Sequence, residues 1–435
     1  MGRVRVWRRS VFLLLVLTLA ASSAGCWGRQ ELENQSLVTV MGVDNGTDKR
    51  IRLTARIAIP RAAAGGQGGS GQGSSLGGFP ITVEGENILD ALNGLQQITG
   101  RDVTVGHLTI LVLGEEFARK DVGPVVDVFS RTLQFRPTTL VVTCREKAED
   151  FVKEFTPGEE TEPSVMIRKL IESTHTTLGG SPFVSMQEFI NAYNTIDSDP
   201  WTPYMTLASS VAADDSSERP GTGEDGEGSA QEQDMGLGDR KPGGDKPDGL
   251  KVVRVLGSAV YAKVGDVQRM VGTLDFYETM AANLMAGNLR NTVLQMAFPE
   301  SHEEVSLRFR HAAVRRRINI QGNTTYVTWV IRLVGTIDEI VVHPTLEPLG
   351  REFSDDVILS AQEEMAALLT KTFRKLQSFR SDPIQLGRSV QMKFATIPEW
   401  ENFNWPERFP DVQGTFDIKV SLLNSGFVYR HPYPR

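Results

Sequence analysis

The chain has 435 residues, a formal net charge of −8 and two cysteines. This length exceeds what one ordinary core supports and predicts two or three domains. Two cysteines cannot form a disulfide framework or a cysteine-based metal cage. Outside one acidic segment the charges are nearly balanced, which argues against nucleic acid as a partner. We therefore expect a folded protein whose stability comes from apolar cores.

The first 25 residues have the pattern of an export signal. Four arginines between positions 3 and 9 precede an apolar run from Val11 to Leu19, and small residues follow up to Gly25. The apolar run is shorter than the ~20 residues that span a bilayer. This pattern predicts a cleaved signal peptide over residues 1–25.

A cysteine directly follows this segment, as in a bacterial lipobox. The thiol of Cys26 would take a diacylglyceryl group and its amino group, once exposed by cleavage, an N-acyl chain. These lipids would hold the protein on the outer face of the membrane. Ser23 stands where lipoboxes usually carry leucine, so a plain secreted product cut after Ala24 is the alternative. No cofactor is predicted besides this lipid.

Residues 26–210 alternate between strand and helix patterns. Two strand runs, 37–43 and 51–59, flank Asn45-Gly46 and predict a hairpin. The other predicted elements are strands at 80–83, 107–113, 138–143 and 204–210, and helices at 87–98, 122–133, 147–155 and within 163–196. In the first of these helices, the residues expected to face inward are Ile88, Leu92, Leu95 and Ile98. Strands separated by helices predict a partly parallel sheet in one or two α/β domains.

Two low-complexity segments interrupt the folded regions. Residues 61–78 are rich in glycine but lack the Gly-Lys-Ser/Thr of a phosphate loop, so they are predicted to be a flexible loop. Residues 211–250 are predicted to be a disordered acidic linker. Eleven acidic and four basic residues lie between Asp214 and Asp248, so most of the net charge is local.

Residues 251–435 are predicted to be a second α/β domain. Strands are expected at 252–262, 267–272, 305–321, 325–337, 416–423 and 427–429, with a helix at 274–285. A long helix at about 355–379, capped by Ser354, carries an apolar stripe of Ile358, Met365, Leu368, Leu369, Phe373 and Leu376. The fold class that follows is α+β (mixed α/β), a multi-domain lipoprotein with mixed sheets flanked by helices.

No group of nucleophilic, acid–base or metal-ligating residues in the sequence has the spacing of a catalytic or metal-binding motif. We therefore predict neither a catalytic site nor a metal site. The spacing of the histidines is not that of a metal site; they lie at positions 107, 175, 302, 311, 343 and 431. The Gly-x-Ser-x-Gly motif of serine hydrolases does not occur. We expect His107 and His343 to be structural, and Cys144, in a strand-like run, to be a buried inert thiol. Five arginines lie along one predicted strand: Arg308, Arg310, Arg315, Arg316 and Arg317. They form either a surface that docks on a membrane or a partner, or the solvent-exposed face of the sheet.

Several stretches in order carry a resemblance that spans nearly the whole chain. They are Cys26–Leu32, Val38–Asp44, Gly106–Ala118, Arg136–Thr138, Leu256–Tyr261, Val271–Leu274 and Ser381–Gly387, with Trp400 and Trp405. In these stretches the chain resembles the Ger(x)C family, the lipoprotein C subunits of spore germination receptors. Gly28 stands where that family usually has aspartate.

This resemblance implies a non-enzymatic subunit of a nutrient germinant receptor in a spore-forming bacterium. It implies a lipid attached at Cys26, a location on the outer face of the spore inner membrane, and two integral-membrane partners, the A and B subunits. The alternative from another class is a substrate-binding lipoprotein of a transporter, which needs a ligand cleft between two lobes.

Overall fold

The computed structural model of the chain describes residues 7, 11–16, 18, 35–58, 78–155, 162–209, 251–298, 303–322, 324–341 and 351–423. Several predicted features lie outside these residues. They are Cys26, most of the glycine-rich loop, the acidic linker, the strand at 427–429, and His302, His343 and His431.

A mixed sheet of nine strands forms the first half of the fold. Its order is β3-β2-β1-β5-β6-β7-β8-β9, with the short β4 also beside β1. The strands are β1 (Gln35–Asn45), β2 (Ile51–Ala58), β3 (Phe79–Gly85), β4 (Asp102–Thr104), β5 (Ile110–Gly114), β6 (Leu140–Cys144), β7 (Trp201–Ser209), β8 (Lys251–Val264) and β9 (Val267–Asp275). β1, β4, β5, β6 and β7 pair in parallel, and antiparallel pairs flank them. The prediction of a partly parallel sheet is confirmed.

Helices cover both faces of this sheet. They are α1 (Ile88–Thr99), α2 (Glu115–Ala118), α3 (Gly123–Arg131), α4 (Ala148–Glu154), α5 (Pro163–Ser173), followed by a π-turn at Thr174–Leu178, and α6 (Met186–Asn194). Met41 packs in the same apolar cluster as α1, α3 and α6, whereas its neighbour Val40 packs with α4 and α5. Because both faces are buried, the central strands are continuously apolar rather than alternating.

The predicted amino-terminal elements are present, with one error of orientation. Asn45 pairs with Ile51 to close the predicted hairpin, and Asn87 caps α1 by accepting a hydrogen bond from the N–H of Asp90. Ile98, expected to face inward, is 62 % exposed. It lies in the last turn of α1, after the buried Leu95, and its side chain faces solvent.

The first sheet continues across the segment predicted to be a linker. β8 pairs antiparallel with β7, from Trp201 opposite Val260 to Ser209 opposite Lys251, and β9 completes the sheet. We expected β8 and β9 to begin a second globular region, but they extend the first sheet instead. The domain boundaries themselves stay a prediction.

A second sheet has the order β10-β11-β12-β13. Its strands are β10 (Thr292–Phe298), β11 (Glu303–Gln321), β12 (Thr324–Val341) and β13 (Gln413–Leu422). The helices of this half are α7 (Phe276–Ala286), α8 (Arg351–Phe379), α9 (Leu386–Gln391), α10 (Ile397–Phe403) and α11 (Trp405–Arg408), with a 3-10 turn at Phe409–Asp411.

The long helix α8 packs across the second sheet through the predicted apolar stripe. Met365, Leu369 and Phe373 are buried, and the Phe373 ring lies 5.1 Å from that of Trp329 on β12. The helix begins at Arg351, about one turn earlier than expected, so Ser354 lies inside it and is not its cap.

A β-bulge in β11 changes which residues face the core. Phe309 pairs with Gly335 and residue 311 pairs with Val334, which leaves Arg310 as the extra residue. Before the bulge the odd-numbered side chains are buried; after it the even-numbered ones turn inward. One extra residue reverses the alternation of a strand, so Arg316 faces inward, where an uninterrupted alternation would place Arg315 and Arg317.

Candidate functional site

The described residues contain neither a metal site nor a membrane-spanning helix. Within them, no three His, Cys, Asp or Glu side chains converge as metal ligands. None of their helices combines the length and the apolar composition that a bilayer crossing requires. A set of buried polar groups instead lies where the two sheets meet, and its geometry is structural.

The loop of residues 381–387 forms the centre of this set. Asp382 is 2 % exposed, and its carboxylate accepts three hydrogen bonds. The donors are the backbone N–H groups of Leu386 (3.0 Å) and Gly387 (2.7 Å) and Nε1 of Trp405 (3.0 Å). A Cβ at Gly387 would lie 2.4 Å from that indole nitrogen, so only glycine fits. A buried carboxylate with these donors orders the loop instead of acting as a free acid or base.

A second aspartate ties this loop to the first sheet. Oδ2 of Asp199 accepts a hydrogen bond from the backbone N of Asp382 (2.9 Å), and the backbone N of Asp199 donates to the carbonyl O of Asp382 (3.0 Å). Each aspartate precedes a proline, Pro200 or Pro383. Proline holds the preceding residue extended and has no N–H of its own, so both dipeptides suit a tight reciprocal contact.

Tyr261 extends this contact into the first sheet. Its backbone N donates to the carbonyl of Pro200 (3.0 Å), and its carbonyl accepts from Oγ of Ser381 (2.6 Å). Its hydroxyl lies 2.6 Å from Oγ1 of Thr143 on β6. The residues Asp199, Tyr261, Arg316, Asp382 and Trp405 are called the junction below.

Arg316 fastens the junction to the second sheet. All five of its N–H donors are used, in bonds of 2.8 to 3.1 Å to the carbonyls of Met285, Ile384 and Gln385 and to Oγ of Ser389. The planar guanidinium of arginine presents five donors in fixed directions and can bond to several acceptors at once. The single ammonium group of lysine cannot reproduce this set of hydrogen bonds. The bulge at Arg310 is what turns this side chain inward.

Burial raises the pKa values of both junction carboxyls. The pKa of Asp199 is raised to about 7. Burial is the main cause, and the negative charge of Asp382 contributes to the rise. Burial also raises the pKa of Asp382, although the donors from Leu386, Gly387 and Trp405 and the charge of Arg316 oppose this effect. The junction therefore holds a proton more tightly than the unfolded chain does.

This shift predicts a pH dependence of stability. The pKa of an unfolded aspartate is ~3.9, so the folded protein retains a proton at Asp199 that the unfolded chain releases. The stabilisation is complete below about pH 4 and is lost as the pH rises towards 7, by up to roughly 1.4 kcal/mol per pH unit. Asp199→Asn retains an acceptor for the Asp382 N–H but cannot titrate.

We therefore expect the free energy of unfolding of the wild type, relative to Asp199→Asn, to fall between pH 5 and 7. Urea denaturation of both proteins across this range measures the difference. The exposed Asp356→Asn is the matched control, and its difference from the wild type should not follow this slope. A constant offset between wild type and Asp199→Asn would contradict the prediction.

A cavity of about 410 Å³ adjoins the junction. Its volume lies at the small end of the range for ligand sites, which favour such boundaries between domains. Among the residues that line it are His175, Phe189, Asp199, Trp201, Asn283 and Arg290. Nδ1 of His175 lies 2.8 Å from the carbonyl O of Ser181, which is a structural role for this histidine.

The structure does not bring the other singled-out residues together. Cys144 is fully buried, as predicted, and burial raises the pKa of its thiol. His107 is exposed just before β5. The five arginines do not form one patch, because Arg316 is turned inward and Arg308 pairs with Asp338.

Sequence reasoning missed the junction as a site. The stretch Ser381–Gly387 is one of those that carry the family resemblance, yet the sequence assigns it no role. A repeated Asp-Pro dipeptide was the available signal. It does not show that residues 183 positions apart touch.

Comparison with known proteins covers both halves of the chain. Residues 28–207 match the family described as "Spore germination protein N-terminal domain". Residues 257–426 match the one described as "Spore germination B3/ GerAC like, C-terminal". The first match ends in β7 and the second begins in β8, so the segment between these strands separates them. The junction connects the two matched regions in the folded chain.

Individual relatives agree with these matches. Spore germination protein KC of Bacillus subtilis (strain 168) is 24% identical over 432 residues, covering 96% of this chain and 97% of that protein. Spore germination protein A3 of the same organism is 22% identical over 191 residues, covering 43% and 48%. A crystal structure of the GerBC protein superposes with a TM-score of 0.50 at 14% identity, covering 88% and 97%. At that identity the structure shows a shared fold alone.

Proposed function

The chain belongs to the GerAC-like family of spore germination proteins, and from this premise we propose that it is a non-enzymatic, lipid-anchored subunit of a nutrient germinant receptor. The observation that carries the proposal is the pair of family matches, which together span residues 28–207 and 257–426. A receptor subunit needs a rigid body that offers surfaces to neighbours. The continuous first sheet and the junction supply such a body.

The proposed anchor is lipid on Cys26, on the outer face of the spore inner membrane. Eight residues separate Cys26 from the start of β1 at Gln35. Confining the body to the membrane plane raises its effective concentration beside integral-membrane partners, so modest protein contacts suffice for assembly. The proposed partners are the A and B subunits of the receptor.

Two observations on the described residues support a non-enzymatic role. The most buried carboxylate of the junction, Asp382, has its oxygens occupied by three donors. The thiol of Cys144 is buried, and burial keeps it protonated. Neither group is available as a nucleophile or general base in this geometry.

Copurification from spore membranes tests the proposal. The protein carries an affinity tag at its carboxyl terminus, and a lipoprotein of unrelated fold with the same tag is the control. We expect integral-membrane germination proteins to be enriched with the tagged chain and not with the control. Enrichment of a transporter permease and ATPase instead would contradict the proposal and support the alternative.

The alternative function, a substrate-binding lipoprotein, has one observation in its favour. The cavity of about 410 Å³ lies between the two halves of the molecule, where such proteins hold their ligands. Calorimetric titration of the dialysed protein with amino acids and sugars separates the two functions. Tight binding of one of them favours the transporter role, and its absence across both classes favours the receptor subunit.

A further inference from the structure

The place where β1 begins restricts how the body can sit on a membrane. Gln35 opens β1, and nine peptide steps from Cys26 reach at most about 32 Å. The parallel strands of the first sheet start at the same end of the sheet. This end, at which β1 begins, is called the amino edge below. If the proposed lipid on Cys26 is in place, the amino edge stays near the bilayer; the inference that follows rests on that proposed function.

Strand pairing identifies the segments that share the amino edge with Gln35. Asp102, which opens β4, pairs directly with Gln35, so the last turn of α1 lies beside the start of the body. The turn after α3 lies at the same edge. The carbonyl of Gln134 is 3.8 Å from the Cβ position of Gly106, which follows β4 by two residues.

Large apolar side chains project from this edge into solvent. Ile98 at the end of α1 is 62 % exposed, and Leu133 after α3 is fully exposed. Phe79, at the start of β3, is 43 % exposed and pairs with Ile57, whose other neighbour is Val38 near the start of β1. These three side chains lie at the end of the sheet nearest the proposed anchor, where exposed apolar groups suit contact with a lipid surface.

The charge of the amino edge differs from that of the opposite edge. The segments 98–106 and 131–139 contain three arginines, at positions 101, 131 and 136, and one acidic residue, Asp102. Two further acidic residues lie at this edge, Glu162 at the start of α5 and Glu188 at the start of α6. Arg131 pairs with Asp127, whereas Arg101 and Arg136 are exposed. At the opposite edge, where the parallel strands end, the segments 44–52, 84–90, 115–121 and 144–150 contain eleven acidic residues and seven lysines and arginines.

We propose that the amino edge rests on the membrane, with Ile98 and Leu133 in the headgroup layer and Arg101 and Arg136 against anionic lipid. Apolar side chains flanked by cations suit the boundary between headgroups and acyl chains. The acidic opposite edge is repelled by the same surface. The anchor and the amino edge then act as two membrane signals, which together fix the orientation of the body.

Depth-dependent quenching tests this orientation. The lipidated full-length protein carries one environment-sensitive fluorophore on an introduced cysteine and is placed in vesicles of phosphatidylcholine with phosphatidylglycerol and a brominated lipid as quencher. The labelled variants are Ile98→Cys and Leu133→Cys at the amino edge, and Lys49→Cys in the turn at the opposite edge. The native Cys144 is buried, so it adds little background label.

We expect brominated lipid to lower the emission at positions 98 and 133 by about half and to leave position 49 nearly unchanged, because side chains at this depth reach the acyl boundary. In protein that floats with the vesicles, two results would overturn the inference without contradicting the anchor. One is quenching of the fluorophore at position 49, and the other is no quenching at positions 98 and 133. Protein that does not float with the vesicles contradicts the anchor itself.

A charge reversal supplies the matched control. Arg101→Glu with Arg136→Glu should reduce the quenching at position 133 in anionic vesicles. The pair Arg50→Glu with Lys147→Glu changes the net charge equally at the opposite edge and should leave that quenching unchanged. Equal loss in both pairs, or loss in neither, would contradict a specific electrostatic contact of the amino edge.

Discussion

The Cys26→Ala protein is expected to leave the membrane fraction, with a fall of at least about tenfold in the bound share. Each acyl CH2 placed in lipid contributes ~0.8 kcal/mol, so two or three chains hold a protein that one chain would not. None of the described helices offers a replacement span. Fractionation of membranes followed by quantitative immunoblotting measures the effect.

Two precautions make this result interpretable. An uncleaved signal segment could itself hold the variant in the bilayer, so the variant is exported behind a secretory signal with an ordinary cleavage site. Cys144→Ala, which changes the buried cysteine, is the matched control and should stay in the membrane fraction. If the Cys26→Ala protein is retained as well as this control, another anchor exists and the lipid proposal is wrong.

In spores, the same Cys26→Ala variant should respond to nutrients as poorly as a strain that lacks the protein. The physical reason is the loss of effective concentration beside the proposed integral-membrane partners. The fall in optical density after addition of nutrient measures germination. A normal response from spores whose membranes lack the variant would contradict a role that depends on anchoring.

The second large effect is expected at the centre of the junction. Asp382→Ala removes the acceptor of three buried donors, on Leu386, Gly387 and Trp405. Unsatisfied buried donors and the loss of a buried charge partner for Arg316 predict a fall of roughly 3 to 5 kcal/mol in the free energy of unfolding. Urea denaturation followed by tryptophan fluorescence measures it, and Trp405 reports on the junction directly.

Two further variants separate the causes of this loss. Asp382→Asn keeps the size of the side chain but turns one acceptor into a donor facing other donors, so an intermediate loss is expected. Asp356→Ala removes an exposed carboxylate and should change stability by less than about 0.5 kcal/mol. Wild-type stability of the Asp382→Ala protein would show that the junction does not hold the two halves together.

Local patterns predicted most of the elements. The Asn-Gly turn located the first hairpin, and the apolar stripe of α8 predicted the side chains that pack on the second sheet. Both signals are encoded within a few consecutive residues, because turn chemistry and helical periodicity are local.

What failed were features that depend on a single residue or on distant partners. The inward turn of Arg316 depends on one extra residue at Arg310, and a strand pattern read with a strict period of two cannot show it. The contact between Asp199 and Asp382 depends on tertiary packing. Ile98 follows the apolar periodicity of α1 but is exposed, because periodicity alone does not show which turns of a helix the sheet covers.

The antiparallel pairing of β7 with β8 has a consequence for variation within the family. Because Ser209 and Lys251 are opposite each other, the chain leaves and re-enters the sheet at one point. Doubling the length of such an excursion changes the closure entropy by only ~0.6 kcal/mol, so insertions and deletions there are nearly neutral for folding. The pairing of β7 with β8 therefore tolerates changes in the length and composition of this stretch.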